Sequence, residues 1–279
     1  MTAAGSPPSV ASILGVRVDD VTMDEVIDRI GELAADGRRT GRCHQVATVN
    51  VDFVVNALED PQLATIMAAT ALSLPDGMAI VWGSRLLGTP LRTRVAGADL
   101  VPALAERAAR DGLRLALYGG APGVAVRAAG LLSARHPDAE IWATAGPVFG
   151  RPDELTIADV APLRDADADI CCVAFGNPKQ EHFISHFGGA LGIPVMIGVG
   201  GSLDFLVGEQ RRAPHWMQVS GLEWLHRAST NPQRLARRYA RDAFVFLPRL
   251  GRQAVAVHTH RRPEDDRPAA GRHRAAAGV

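Results

Sequence analysis

The chain has 279 residues, 30 basic against 30 acidic side chains, and a 47% hydrophobic content, which suits one large soluble domain or a domain with an appendage. Zero net charge excludes a chain-wide polyanion binder, so no nucleic-acid partner is expected. The three cysteines, Cys43, Cys171 and Cys172, fit no disulfide framework or metal-binding pair and read as buried reduced thiols. Residues 1–10, "MTAAGSPPSV", lack the basic start and apolar core of a signal peptide and are expected to be disordered. No apolar run reaches the roughly 18 residues of a membrane span.

"ILGVRVDDVTMDEVIDRIGELAADG" reads as a short strand and then a helix, started by a Thr22/Glu25 capping box and stopped at Gly37. "CHQVATVN" is a strand, followed by a helical stretch broken near Pro61. "ALSLPDG" is a strand running into a Pro-Asp-Gly turn and a helix. "GADLVPALAERAARDG" is a helix, "LRLALYGG" a strand, "APGVAVRAAGLLSARH" a helix and "AEIWATAG" a strand. "ELTIADVAPLRDADAD" reads as helical, "ICCVAFG" as a strand, "KQEHFISHFGGALG" as a helix and "IPVMIGVGG" as a strand. The strands are near-continuous apolar runs, and they alternate with helices across short loops. That predicts an α/β fold with a Rossmann-like, mostly parallel sheet covered by helices on both faces. The expected organisation is a disordered N-terminus (1–10), an α/β catalytic domain (11–210), a basic helical membrane-associated appendage (211–252) and a disordered tail (253–279). The charge is uneven: from Arg227 onward there are twelve arginines against one Glu and three Asp.

In open α/β sheets ligands bind beyond the carboxyl ends of the strands. Five polar clusters fall there: Thr48 and Asn50; Asp76 and Gly77; Gly119, Gly120 and Gly123; Gln180 and Glu181; and Gly198, Gly200, Gly201 and Asp204. Each has a plain structural reading as a helix cap, a turn or a packing glycine. Their convergence on one edge is what points to a site. "YGGAPG" before a helix could cradle a phosphate, but it lacks the Gly-x-Gly-x-x-Gly spacing of a dinucleotide fingerprint, which weakens the alternative of a nucleotide-binding α/β oxidoreductase. The Asp165, Asp167, Asp169 run precedes a strand and so lies at the opposite, amino end of the sheet. His182 and His186 share a helix face but have no evident third metal ligand.

"TVN", "LPDGMAIVW", "RVAGADL", "LYGGAPGVA", "FGNPKQE", "GVGGSLDF" and "RRAPHWMQVSGLEWLHRASTNPQRLARR" occur in the order found in the WecG/TagA/CpsF glycosyltransferases, and the chain resembles that family over roughly residues 12–250. The resemblance implies an inverting enzyme without a cofactor or metal. It would move a sugar, N-acetylmannosamine-like, from a UDP-sugar donor to an undecaprenyl-diphosphate-linked amino sugar at the cytoplasmic membrane surface, in cell-surface polysaccharide or teichoic-acid synthesis. It implies Asp76 as general base, Thr48, Asn50 and Gln180 at the sugar-diphosphate site, and Asp204 near the nucleotide. Arg227, Arg234 and Arg237 would close over the site from the C-terminal appendage. Gly77, Gly119, Gly120 and Arg94 complete the candidate substrate-binding set, with Arg94 and Lys179 as further cations for the diphosphate. The chain departs from the family pattern at Leu203 and in a shortened loop, "GPVFGRP", expected to border the pocket. The oligomeric state is not legible in the sequence.

Overall fold

The computed structural model describes residues 9–230 and 232–260. A two-stranded antiparallel hairpin, β1 (Val10–Ile13) and β2 (Val16–Asp19), comes first, where the sequence suggests one strand. Helix α1 (Met23–Thr40) follows, with both halves of its capping box formed. It runs past Gly37 to a left-handed Gly41; Gly37 stays inside the helix, packed on Pro194. Then come β3 (His44–Val49), α2 (Val51–Glu59), α3 (Pro61–Ala69), β4 (Leu72–Pro75), α4 (Met78–Leu86), α5 (Gly97–Asp111), β5 (Arg114–Gly119), α6 (Val124–Arg135) and β6 (Glu140–Thr144). A 3-10 turn (Pro152–Glu154) and the short α7 (Ala161–Asp165) replace the longer helix expected before β7 (Ile170–Ala174). The body closes with α8 (Lys179–Leu191), β8 (Val195–Gly198) and α9 (Ser202–Leu206), and three helices follow: α10 (His215–Val219), α11 (Glu223–Thr230) and α12 (Pro232–His260).

Strands β3 to β8 form one parallel sheet in the order β4-β3-β8-β7-β5-β6, which is the expected α/β architecture. Side chains alternate across it with period two. On β7, Ile170 and Cys172 enter the core under α1, α5 and α6, while Cys171 and Val173 enter the core under α7 and α8. All three cysteines are free thiols, and Cys171 and Cys172 are buried within these layers. At the β4 edge the hairpin shields the sheet: the fully buried Asp19 carboxylate accepts the Ser73 N–H at 2.8 Å and pairs with Arg17. An otherwise open strand edge is thereby covered.

Helix α12 is built into this body. Phe246, Leu250 and Ala254 are buried in the same core as Ile13, Phe53 and Ile80. Gln253 donates to the Ser12 carbonyl and accepts the Leu14 N–H, both at 2.9 Å, which holds the hairpin turn where Leu14 has φ +51°. The expected start of a disordered tail at 253 is therefore corrected: helix continues through His260 because Gln253 and Ala254 are anchoring residues. The expected disorder of 1–10 is likewise corrected at its end, where Val10 already pairs with Asp19. Residues 1–8 and 261–279 lie outside the described residues. Among the described residues no helix is long and apolar enough to cross a membrane.

Candidate active site

A cavity of about 500 Å³ opens at the carboxyl ends of β3, β4 and β8, roofed by α10, α11 and α12. It brings together Thr48, Asn50, Asp76, Gly77, Arg94, Gln180 and Arg227. Thr48, the penultimate residue of β3, donates its hydroxyl to the Gly198 carbonyl at 2.8 Å, fastening β3 to β8. Asn50 is the N-cap of α2, accepting the Phe53 N–H at 3.0 Å, so the plain reading as a cap and the placement at the pocket both hold.

Asp76 leaves β4 with its N–H donated to the Val49 carbonyl at 2.8 Å. Gly77 then takes φ +124°, a backbone conformation that side-chain-bearing residues rarely adopt, and turns the chain into α4 with Asp76 in the pocket wall. Burial pushes the Asp76 carboxyl up to about 6; Arg94 and Arg227 oppose the rise, and Glu223 and Asp99 add to it. A carboxylate tuned in this way is ionised at neutral pH yet a better proton acceptor than an exposed aspartate.

Arginines crowd the same space. Arg94, on the loop between α4 and α5, donates to Glu223 at 2.6 Å and to Gln218 at 3.4 Å, and so ties that loop to α10 and α11. Arg212 forms a two-pronged pair with Asp99 at 2.5 and 2.9 Å, which holds the Asp99 carboxyl below the usual range. The Arg227 guanidinium stands 5.2 Å from the Phe205 ring. Arg238 lies 3.8 Å from Asp52 and 5.6 Å from the Tyr239 ring, and its Nε has no hydrogen-bond partner among the described residues.

The turn "FGNPKQE" has an unexpected job. Gln180 lines the pocket, but its carbonyl accepts the Gly176 and Gly200 N–H groups at 3.2 and 2.9 Å, and its amide donates to Glu181 at 2.8 Å. Asn177 donates to the other Glu181 oxygen at 2.9 Å. Gln180 thus pins two glycine loops at the cavity and has its polar atoms engaged there. Glu181 is fully buried, and burial pushes its carboxyl up to about 7 against the pull of these hydrogen bonds.

Several candidates fall elsewhere. Gly119 and Gly120 do not line the cavity, because β7 stands between β5 and the strands β3, β4 and β8 that form the site. Gly119 serves close packing instead: a Cβ there would lie 3.0 Å from the Ala174 backbone. Asp204 sits on α9 outside the lining and accepts from Gln210 at 3.4 Å. Arg237 is exposed on α12, and its neighbour Arg238 is the one turned into the cavity. The side chain of Arg234 lies outside the described residues. Lys179 spans the Phe149 ring at 3.9 Å, and the loop carrying Phe149 packs on α8 rather than on the pocket. Sequence reasoning missed Asp52, Arg212, Glu223, Arg238 and Asp242 as lining residues. For the last two the available signal was the i, i+4 spacing on a helix already marked as basic.

At the amino end of the sheet Asp167 and Asp169 are held by Arg38 and Arg114. His182 pairs with Asp60 at 2.7 Å. Among the described residues no group of three His, Cys, Asp or Glu side chains is placed to hold a metal ion.

A parallel α/β sheet whose strand ends offer a proton acceptor beside several guanidinium groups has the parts for group transfer from an anionic leaving group. The comparison with known proteins gives that class its family: residues 11–260 match the Glycosyl transferase WecG/TagA/CpsF family, and the chain belongs to it. It is 32% identical over 201 residues, 72% of this chain and 76% of the relative, to an N-acetylglucosaminyldiphosphoundecaprenol N-acetyl-beta-D-mannosaminyltransferase of Bacillus spizizenii (strain ATCC 23059 / NRRL B-14472 / W23). It is 33% identical over 192 residues, 69% of this chain and 73% of the relative, to the protein of the same description in Bacillus subtilis (strain 168).

Proposed function

We propose that the chain transfers an N-acetylmannosamine-like sugar from a UDP-sugar donor to an undecaprenyl-diphosphate-linked amino sugar, with inversion and without a metal, in cell-surface polysaccharide or teichoic-acid synthesis. The observation that carries this reading is Asp76, a pocket carboxyl raised to about 6 beside Arg94 and Arg227. The acceptor hydroxyl attacks the anomeric carbon of the donor while Asp76 takes its proton. The bond from that carbon to the diphosphate oxygen breaks, and UDP departs. Arg94, Arg212, Arg227 and Arg238 supply the counter-charge that the departing diphosphate needs. Glu223 occupies Arg94 at 2.6 Å and exchanges for the diphosphate when the donor enters.

The mouth of the site suits a lipid-linked acceptor at a membrane surface. Trp82 and Leu86 on α4, Trp216 on α10, Trp224 on α11, and Phe244 and Leu247 on α12 are exposed, beside a basic helix that anionic headgroups attract. This supports a peripheral location on the inner face of the plasma membrane.

The test is transfer from UDP-N-acetylmannosamine to a short-prenyl N-acetylglucosamine diphosphate, followed with and without EDTA. Product that forms in EDTA, with the anomeric configuration reversed, is the expected result. No product with this pair, or activity abolished by EDTA and restored by manganese, overturns the reading.

A further inference from the structure

The Glu181 carboxylate is fully buried and takes no part in the transfer step, yet two arms of hydrogen bonds end on it. On one side its Oε1 accepts the Gln180 amide N–H at 2.8 Å, and the Gln180 carbonyl accepts the backbone N–H groups of Gly176 and Gly200, both at the cavity wall. On the other side its Oε2 accepts the Asn177 amide N–H at 2.9 Å. The Asn177 carbonyl accepts from Asn56 at 2.7 Å, and the Asn56 carbonyl accepts from Arg241 at 3.1 and 3.2 Å. This longer arm crosses from α8 through α2 to the roof helix α12. One turn before Arg241 on that helix stands Arg238, which lines the cavity. The end of β8 leaves room for the junction: a Cβ on Gly198 would lie 2.5 Å from Gln180 Nε2 and from Glu181 Oε1.

Both outer ends can only donate, because a backbone N–H and a guanidinium have no acceptor. The two glycine N–H groups therefore turn the Gln180 oxygen toward themselves and its NH2 toward Glu181. Arg241 likewise fixes Asn56, and Asn56 fixes Asn177, whose NH2 then faces Glu181. Donors reach Glu181 from both arms, and its full burial keeps water from replacing either. A carboxylate accepts twice there. A glutamine of the same shape offers one acceptor and one donor, so one arm has to reverse. Reversal of the short arm frees the glycine loops, and reversal of the long arm frees the Arg241 turn of α12.

We propose that Glu181 is the positioning residue of the transfer site: by accepting from both arms it holds the Gly176 and Gly200 loops and the Arg238-bearing turn of α12 in one register. The inference rests on the glycosyl-transfer reading above, in which Arg238 faces the departing diphosphate. Glu181 acts through its neighbours and touches no substrate.

The test moves the carboxylate along the chain of hydrogen bonds. Glu181→Gln reverses one arm. Adding Asn177→Asp restores every donor and acceptor, since the new glutamine amide donates to the new aspartate, which still accepts from Asn56. All variants are full chains compared at pH 8, above the value of about 7 to which burial raises Glu181. Glu181→Gln should lower kcat per folded molecule about tenfold or more, as small misplacements of reacting groups do, and the paired variant should recover most of that loss. A merely structural role would lower the melting temperature of Glu181→Gln and leave the kcat of its folded fraction within about twofold. Hydrogen exchange reads the same register without substrate: the amides of Gly176, Gly200 and residues 238–246 should exchange faster in Glu181→Gln and slow again in the paired variant. An unaltered chain that transfers no sugar defeats the glycosyl-transfer reading, and exchange then decides the positioning role by itself. If Glu181→Gln does not fold, Arg241→Gln breaks the far end at an exposed position and should show the same two effects, smaller in size. The proposal is overturned by a folded Glu181→Gln that keeps its kcat and exchange pattern, by a folded paired variant that recovers neither, or, in the last case, by an Arg241→Gln chain unchanged in both.

Discussion

The two ends of the parallel sheet treat acidic residues in opposite ways. At the amino end Asp169 accepts from Arg38 at 2.5 Å and from the Arg114 N–H at 2.7 Å. Asp167, pulled below its usual range by Arg38 and Arg114, completes a closed network. At the carboxyl end Asp76, Glu181 and Asp242 are pushed upward, each chiefly by burial. The first group secures a loop to a helix. The second group is costly to the fold, and such a cost persists where a site needs it. Pairing alone does not separate scaffold from site, since Glu181 accepts from Gln180 and Asn177 and Asp99 is held by Arg212 at the carboxyl end; what sets Asp76, Glu181 and Asp242 apart is that burial outweighs whatever partners they have.

The contrast yields substitutions with opposite signs. Asp76→Asn should lower turnover by about 10²–10⁴-fold, the usual contribution of a general base. The same change should raise the melting temperature at neutral pH. The folded carboxyl titrates near 6 against an ordinary 3.8, so the stability linked to its protonated form is present below the unfolded value and lost as pH rises through about 6. Replacing it with a permanently neutral group restores that stability, by roughly 2–4 °C per kcal/mol. Scanning calorimetry beside the transfer assay checks both halves, and a lower melting temperature would break the comparison.

Arg227→Ala and Arg94→Ala come next. Each should reduce turnover by about 10–100-fold even on a soluble short-chain acceptor, since a charge-assisted contact to the diphosphate is worth roughly 1.5–3 kcal/mol. Asp169→Ala, at the other end, should leave kcat within about twofold and destabilise the fold by about 1–3 kcal/mol, because the Arg114 N–H loses its acceptor. Urea denaturation measures this. The smallest effect is at the surface: Phe244→Ser with Leu247→Ser should weaken flotation on anionic liposomes in low salt and spare transfer to a soluble acceptor.

Much of this comparison is already legible in the chain. The alternating apolar runs specify the sheet, and the strand-end rule then gathers Thr48, Asn50, Asp76 and Gln180 at one edge while sending Asp165, Asp167 and Asp169 to the other. What is not legible depends on long-range docking. Gly119 and Gly120 end a strand on the same edge, but strand order, which no local pattern encodes, sets them apart from the pocket. Arg238 rather than Arg237 faces inward, a difference of one residue and about 100° of helix rotation. That rotation is fixed by Phe246, Leu250 and Ala254 docking on the body. The hairpin turn at Leu14 was hidden for the same reason: its partner, Gln253, is more than two hundred residues away. The same packing makes α12 part of the core, so a chain cut at Val219 would lose apolar cover over Phe53 and Ile80 and should not stay folded as an independent body.

The most direct test of the central claim, that the underpaired Asp76 carboxyl is the working proton acceptor, is the pH dependence of kcat/KM in the unaltered chain between pH 5 and 8. The account predicts a rate that climbs as Asp76 ionises through about 6 and levels above it. A profile flat across that range would contradict it.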